Sequence, residues 1–295
     1  MPDRVDLNPL LARCSFPPSG EAVVCAVSGG PDSTALMILA VAAGCDVSAV
    51  HVHHGLRPSA DHDATCAETS ARLFGVPFRV EHVDVDDGAN LEARARTARR
   101  RVLGNEALTG HTADDQAETL LLALLRGAGA TGLASMRPDR RRPILALRAA
   151  ETRSMCAELG VEVAEDPTNQ MPRFRRNRVR HDVLPLLDHI ADRDMVPLLT
   201  RTADLVRDDD DLLEELATTL DPTDAVAVAA APLPIARRAL RRWLSVDGYP
   251  PDAAAVERVL AVAAGEVVAC QVTGVGRVQR RRQRLELVTA EPTAG

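Results

Sequence analysis

An apolar run, Ala22-Val23-Val24-Cys25-Ala26-Val27, stops at Ser28-Gly29-Gly30-Pro31-Asp32-Ser33, and a second run, Ala35-Leu36-Met37-Ile38-Leu39-Ala40, follows at once. This order allows few folds. The first run reads as a buried strand, the second has helical composition, and adjacent glycines with a proline make the link a tight turn. The turn has short or absent side chains, so its backbone N–H groups are free to face a ligand. The helix that follows points its positive end at the same place. Such a site calls for an anion, above all a phosphate. Asp32 is the odd member, since a carboxylate repels a bare phosphate. It is expected to cap the helix or to hold a metal ion that neutralises phosphates.

The same alternation recurs downstream. Asp46 to Val52 reads as a strand buried on both faces, ending in His51-Val52-His53-His54-Gly55-Leu56-Arg57-Pro58, and Ser59 is placed to cap a helix from 60 to about 74. Phe78 to Val83 reads as a third strand, and Asn90 opens a helix reaching about Leu103. An unusually tight link at 104–106 leads to a short fourth strand, Glu106 to Thr109. Gly110-His111-Thr112-Ala113-Asp114-Asp115-Gln116-Ala117-Glu118-Thr119 then reads as strand end, cap and helix, and Pro143 to Leu147 as a fifth strand. Repeated strand–helix alternation predicts an α/β fold with a parallel, doubly wound sheet. Ligands gather at the carboxyl ends of such strands, so the three polar segments that follow strands are expected to converge.

From about 190 the character changes. Three amphipathic helices are expected at 204–220, 235–244 and 252–263, followed by a small antiparallel sheet from Val267 to Val288. The 295 residues accommodate two domains, expected at 1–189 and 190–295, the second smaller and mixed helical and β.

All 35 basic residues are arginine; the chain has no lysine. A Walker-type phosphate loop and a Schiff-base mechanism both need lysine, so both are excluded. Six cysteines are widely spread, with no Cys-x-x-Cys, which reads as reduced thiols and argues against a zinc or iron–sulfur site. No apolar run approaches the roughly 18 residues of a membrane span. Met1-Pro2-Asp3-Arg4 lacks the start of a secretory signal, so a cytoplasmic location is expected. Net charge is −7, yet arginines cluster at 94–101, 137–148, 173–180 and 277–284. Local basic patches decide phosphate-backbone binding, so nucleic acid stays a candidate partner.

Taken singly, each motif has two readings. Asp114 and Glu118 stand four apart on a helix face; they either complement the helix dipole or supply oxygen ligands for magnesium beside a triphosphate. His53 and His54 are adjacent on an extended segment and point apart, which favours loop contacts to backbone or phosphate over a shared metal.

Together the motifs resemble a known family. The Ser28–Ser33 turn is similar to the loop of the PP-loop ATP pyrophosphatases. His51 to Arg57, Asn90-Leu91-Glu92-Ala93, Gly110 to Thr119, Leu125-Arg126-Gly127-Ala128-Gly129, Asp166-Pro167-Thr168-Asn169 and Arg176-Asn177-Arg178-Val179-Arg180 narrow the resemblance to the tRNA(Ile)-lysidine synthetases. It covers about residues 20–186 and resembles the short forms of that family. Arg100 stands where the family usually has tyrosine, and Ser135 where it usually has glycine. The resemblance implies ATP-dependent ligation of free L-lysine to the wobble cytidine of the CAU-anticodon tRNA(Ile), through an adenylated base. It implies ATP binding by Ser28, Gly29, Gly30, Pro31, Asp32, Ser33 and His111, and Mg²⁺ held by Asp32 and Asp115. Catalytic roles fall to Asp32, Asp115, His54 and Arg57, lysine binding to Asp114, Asp115 or Glu118, and tRNA binding to Arg176, Asn177, Arg178 and Arg180. A homodimer is one assembly consistent with it. The alternative is another adenylating enzyme of this loop type, such as a tRNA thiolase; the missing Cys-x-x-Cys counts against it. A non-catalytic nucleotide- or RNA-binding protein would not require the acidic residues.

Overall fold

Three strands, β1 (Ala22–Ala26), β2 (Asp46–His53) and β3 (Phe78–His82), pair in parallel in the order β1-β2-β3. They belong to a computed structural model that describes residues 5–53, 60–83, 101–166, 168, 171–246 and 248–288. His54, Arg57, the Asn90–Ala93 motif, Arg94 to Arg100, Pro167 and Asn169 lie outside the described residues.

A short helix, α1 (Asn8–Leu11), precedes the sheet; α2 (Pro31–Ala42) and α3 (Ala60–Leu73) connect its strands. Eight consecutive residues of α2, Ser33 to Ala40, are buried, so this helix is enclosed on every side. Its Leu36, Met37, Ile38 and Leu39 pack with Val23, Cys25 and Val47 of the sheet and with Ala67 and Ala71 of α3. β3 is largely exposed and carries Arg79 and Glu81, charges that suit an edge strand.

Two expected strands take another form. The fourth shrinks to a single parallel bridge, Cys25 with Leu108, made by Ala26 N–H to the Leu108 carbonyl (2.9 Å) and Leu108 N–H to Val24 (2.8 Å). It cannot lengthen, because Gly104 (φ +72°) turns the chain just before it and Gly110 abuts α2 just after it. Pro143 to Leu147 forms turns. Leu145 and Leu147 N–H groups bond to the Arg142 and Ile144 carbonyls, and the three-residue spacing sends Ile144 and Leu147 into the core. The apolar run signals burial, which a hydrogen-bonded turn satisfies as well as a strand.

The Leu108 bridge sets the topology. β2 lies on one side of β1 and Leu108 on the other, so the order reverses at β1. The end of β1 is therefore the switch point of the sheet, where α/β folds bind ligands. The next helices are α4 (Ala113–Leu124), α5 (Ala130–Leu133) and α6 (Ala149–Glu158), and α6 packs along α2. Beyond them, α7 (Arg175–Arg178), a π turn (Val179–Val183) and α8 (Leu184–Ala191) run on continuously.

The chain divides into two compact units, Met1–Asp204 and Leu205–Gly295. The division falls inside a long helix, α9 (Val196–Thr218). Val196 and Ala203 join the first unit's core of Ala113, Ala117, Leu120 and Val179; within the second unit Asp210 and Glu214 pair with Arg238. That unit holds α10 (Ala225–Ala230), α11 (Leu233–Trp243), α12 (Ala253–Ala264) and an antiparallel sheet of β4 (Ala269–Val272), β5 (Gly276–Arg281) and β6 (Arg284–Val288). Asp224 and Asp252 cap α10 and α12, and Gly265 (φ +81°) ends α12. No helix among the described residues is long and apolar enough to cross a membrane.

Ser135 has φ +56°, and its buried hydroxyl has no partner among the described residues. Both features cost stability, of the order of 1 kcal/mol each. Ser135→Gly should raise the urea midpoint at unchanged m-value, for a net gain of about 1 kcal/mol, with Ser135→Ala gaining less because its Cβ keeps the backbone strain.

Candidate active site

The chain leaves β1 through Val27, whose N–H bonds to the Val50 carbonyl (2.9 Å), and enters the glycine turn. Ser33 folds back to close that turn. Its Oγ accepts the Ser28 N–H (3.0 Å), lies 3.0 Å from Ser28 Oγ and donates to the Gly30 carbonyl (3.0 Å). Gly30 is the N-cap of α2 and Pro31 its first residue, where a missing N–H costs nothing. The first-turn N–H groups have no intrahelical acceptor and remain for an anion.

Two glycines allow other backbones to close in. Gly29 has φ +91°, and a Cβ there would run into the Asp63 carbonyl of α3; its own carbonyl accepts the Ala164 N–H (2.9 Å). A Cβ on Gly110 would lie 2.7 Å from the Asp32 carbonyl carbon and 2.8 Å from Ser33 N. The segment beyond Leu108 is thereby pressed against the start of α2. His111 follows, with Nδ1 2.9 Å from Thr109 Oγ1.

Asp32 sits in the first turn of α2 and receives a hydrogen bond from the Thr152 hydroxyl of α6. Burial pushes its carboxyl from the ordinary 3.8 up to about 6, and the nearby Asp115 and Asp114 add to the rise against the Thr152 hydroxyl and Arg180. A half-buried carboxylate in this state would be stabilised by a cation.

The acids of α4 divide between two arginine sources. Asp115 caps its own helix, accepting the Thr112 N–H (2.9 Å) on Oδ2, and takes Arg176 Nη2 (3.0 Å) on Oδ1. Glu118, wholly buried, is clasped by Arg176 Nε (2.6 Å) and Arg180 Nε (2.5 Å). Asp115 and Glu118, three apart, thus face a pair of guanidinium groups one turn apart. Asp114 turns the other way. It accepts Arg148 Nε (3.1 Å) and Nη2 (3.0 Å) and caps α6 through the Ala149 N–H (2.8 Å). Burial alone would raise the Asp114 carboxyl, but these partners outweigh it and hold it below the usual carboxylate range.

A glycine turn at a sheet switch point, a half-buried Asp32 and a pair of acids matched by arginines thus lie together at the end of β1. The sequence matches two family models, a PP-loop domain over residues 6–187 and a TilS substrate binding domain over 224–286. The tRNA(Ile)-lysidine synthase of Nocardia farcinica is 42% identical over 79% of this chain and 78% of its own length. That of Rhodococcus erythropolis is 42% identical over 79% and 77%. The chain belongs to the tRNA(Ile)-lysidine synthase family. Among solved structures, the U34-tRNA thiolase NcsA from Methanococcus maripaludis, with its [4Fe-4S] cluster, matches with a TM-score of 0.53 at 17% identity, over 64% of this chain and 73% of that one. That likeness supports the shared PP-loop fold and nothing finer.

Within this family member, the Arg176–Arg180 motif does several jobs. Arg176 and Arg180 hold the acids of α4. Asn177 is buried and donates to the Thr168 (2.6 Å) and Met171 (2.9 Å) carbonyls, so it builds the turn in which Asp166 accepts the Thr168 N–H (2.8 Å). Arg178 is exposed, 3.9 Å from Asp182, beside a cavity of about 400 Å³ lined also by Pro172 and His181. At the other strand ends, His53 Nε2 lies 3.1 Å from Asp61 and its ring 5.0 Å from that of His82. Sequence reading misses Thr152 and the role of Arg148. Thr152 carries no local signal, and Arg148 is hidden in a cluster that reads as RNA-facing.

Asp32 makes stability depend on pH. Its folded pKa exceeds the unfolded value, so the charged form is penalised: the cost appears as pH rises above about 4 and is complete above about 6. Asp32→Asn, which keeps the shape and the Thr152 bond, should be more stable than the parent at pH 8 by up to about 3 kcal/mol, and the two should converge below about pH 4, as read by urea unfolding across pH.

Proposed function

We infer that this chain forms lysidine in tRNA(Ile), activating the wobble cytidine of the CAU-anticodon tRNA with ATP and joining free L-lysine to it. The observation that carries the reading is the glycine turn at the β1 switch point, with Asp32 and the arginine-matched Asp115–Glu118 pair converging on it, in a chain 42% identical to named lysidine synthases over 79% of its length.

The cytosine 2-carbonyl oxygen attacks the α-phosphorus of ATP, and pyrophosphate leaves. The lysine ε-amine then attacks C2 of the adenylated base, AMP leaves, and the amine gives up its proton. We assign the N–H groups of Gly29, Gly30 and Ser33 to the leaving pyrophosphate, whose charge they stabilise without moving. His111 is assigned to the nucleotide, and His54 and Arg57 to phosphate or the activated base. Magnesium fits the donor set, because Asp32 is a half-buried oxygen donor whose charge lacks a full counter-cation; Asp32, with Asp115, would hold it. Such an ion supplies neutralisation of triphosphate charge.

Of the α4 acids, Asp114 is committed to Arg148 and to the start of α6. Asp115, which reaches solvent, is therefore the carboxylate assigned to the lysine ammonium; wholly buried Glu118 holds Arg176 and Arg180, the partners for the amino acid's own carboxylate. For tRNA the exposed arginines are the natural contacts: Arg178 in the first unit, and Arg277, Arg281 and Arg282 on the strands and turn of the second. The cysteines among the described residues are free thiols, in keeping with a cytoplasmic location.

Radiolabelled lysine should enter the CAU-anticodon tRNA(Ile) only when ATP and Mg²⁺ are present; no incorporation by folded protein into intact tRNA rejects the reading. A thiolated nucleoside by mass spectrometry would instead support the thiolase alternative. Asp32→Asn should abolish pyrophosphate release while leaving tRNA binding unchanged, and retained full activity would remove Asp32 from the mechanism. Replacing both Arg281 and Arg282 by alanine should weaken tRNA binding and lower the slope of log K against log salt by roughly 1 for each phosphate that is no longer neutralised, measured by filter binding.

A further inference from the structure

His62 and Cys66 stand four residues apart on α3, so their side chains leave one face of the helix. His62 Nε2 lies 3.6 Å from Cys66 Sγ. Glu162, from the segment after α6, brings a carboxylate to the same point, and ligand atoms of the three residues all lie within 4.8 Å of one another. Cys66 is buried, while His62 and Glu162 reach solvent. None of the three belongs to the ATP, lysine or tRNA assignments above.

The His62–Cys66 spacing suits a tetrahedral ion, and exposed Glu162, within 4.8 Å, closes on it by a side-chain rotation. Zinc bonds of about 2.0 Å to imidazole and about 2.3 Å to thiolate, at a tetrahedral angle, require nitrogen and sulfur about 3.5 Å apart. One histidine, one cysteine and one carboxylate are ordinary zinc ligands, and a thiolate–imidazole pair selects zinc or cobalt over magnesium.

We propose that His62, Cys66 and Glu162 bind a divalent cation of the zinc class, with a fourth position open to water. Binding converts the Cys66 thiol to thiolate: the S–H bond breaks, the metal–sulfur bond forms, and the proton passes to solvent. Without the cation, burial first, then Glu162 and Asp63, hold that thiol above its ordinary range, so it stays neutral.

The site lies next to the glycine turn through both of its anchors. Asp63, adjacent to His62, places its carbonyl under Gly29; Ala164, two residues past Glu162, donates to the Gly29 carbonyl. An ion joining α3 to the 162–164 segment therefore braces the two backbones that hold Gly29 in its left-handed conformation. Cysteine spacing in the sequence could not reveal this site, because its third ligand lies almost a hundred residues away from the other two.

The test is a Co²⁺ titration of the reduced, chelator-stripped full chain in excess Mg²⁺. The expected result is one equivalent bound, a thiolate-to-cobalt charge-transfer band, the visible bands of a low-coordinate site, and displacement by Zn²⁺. Cys66→Ser should abolish the charge-transfer band. His62→Ala and Glu162→Gln, both at exposed positions that do not threaten folding, should each weaken Co²⁺ binding by about 10-fold or more. Zn²⁺ should raise the thermal midpoint of the parent and not that of Cys66→Ser. A thiol–imidazole hydrogen bond alone would give the same 3.6 Å separation without any of these signals. No charge-transfer band from the folded parent, or a band that persists in Cys66→Ser, overturns the site. Lysine incorporation is not a readout here, so the outcome stands whatever the assay of lysidine formation returns.

Discussion

Backbones from four segments meet at the glycine turn with no side chain between them. The Asp63 carbonyl lies under Gly29, the Ala164 N–H bonds to the Gly29 carbonyl, and Gly110 presses on the peptide joining Asp32 to Ser33. A Cβ at Gly29 or Gly110 would force these segments apart. Their contact fixes where α3 begins its approach, where the 161–164 segment passes and where α4 starts. The acids of α4 then fall within reach of α2 and of Arg176 and Arg180, so the placement of charge in the site follows from the contact of backbones.

Three carboxylates close in space have three different electrostatic settings. Asp114 has a bidentate arginine and a helix N–H, and is held well ionised. Glu118 is wholly buried and clasped by two guanidinium groups, an arrangement in which loss of either partner would strand a charge without water. Asp32 has a hydroxyl and little else, and burial raises its carboxyl to about 6. Full satisfaction of the first two makes them scaffold. The incomplete satisfaction of Asp32 leaves free energy that a cation can recover on binding. At the start of α2 an incompletely matched carboxylate thus stands beside acids that are paired.

The α2 helix, the first three strands and the C-terminal antiparallel sheet are legible because each has its own period and its own stop signals. The fourth and fifth strands rest on apolar runs that mark burial alone. Leu108 makes one bridge, and Ile144 and Leu147 reach the core from a turn. Periodicity cannot separate these cases in runs of four or five residues. The site is legible as a set of segments and illegible as a set of partners. Asp115 pairs with Arg176 across sixty-one residues, Asp114 with Arg148 across thirty-four, and Asp32 with Thr152 across a hundred and twenty.

By itself the sequence determined the glycine turn, the strand–helix alternation around it, the exclusion of lysine-dependent phosphate loops and the family to which the motifs belong. Each of these is local, written in residues a few places apart whose backbone preferences and side-chain chemistry need no distant partner. The tertiary structure alone decided which acid faces which arginine, why Asp32 has a hydroxyl and not a guanidinium as its hydrogen-bond partner, and how His62, Cys66 and Glu162 come to share one point. Those outcomes depend on distance and burial between remote segments, and local preference carries no information about either.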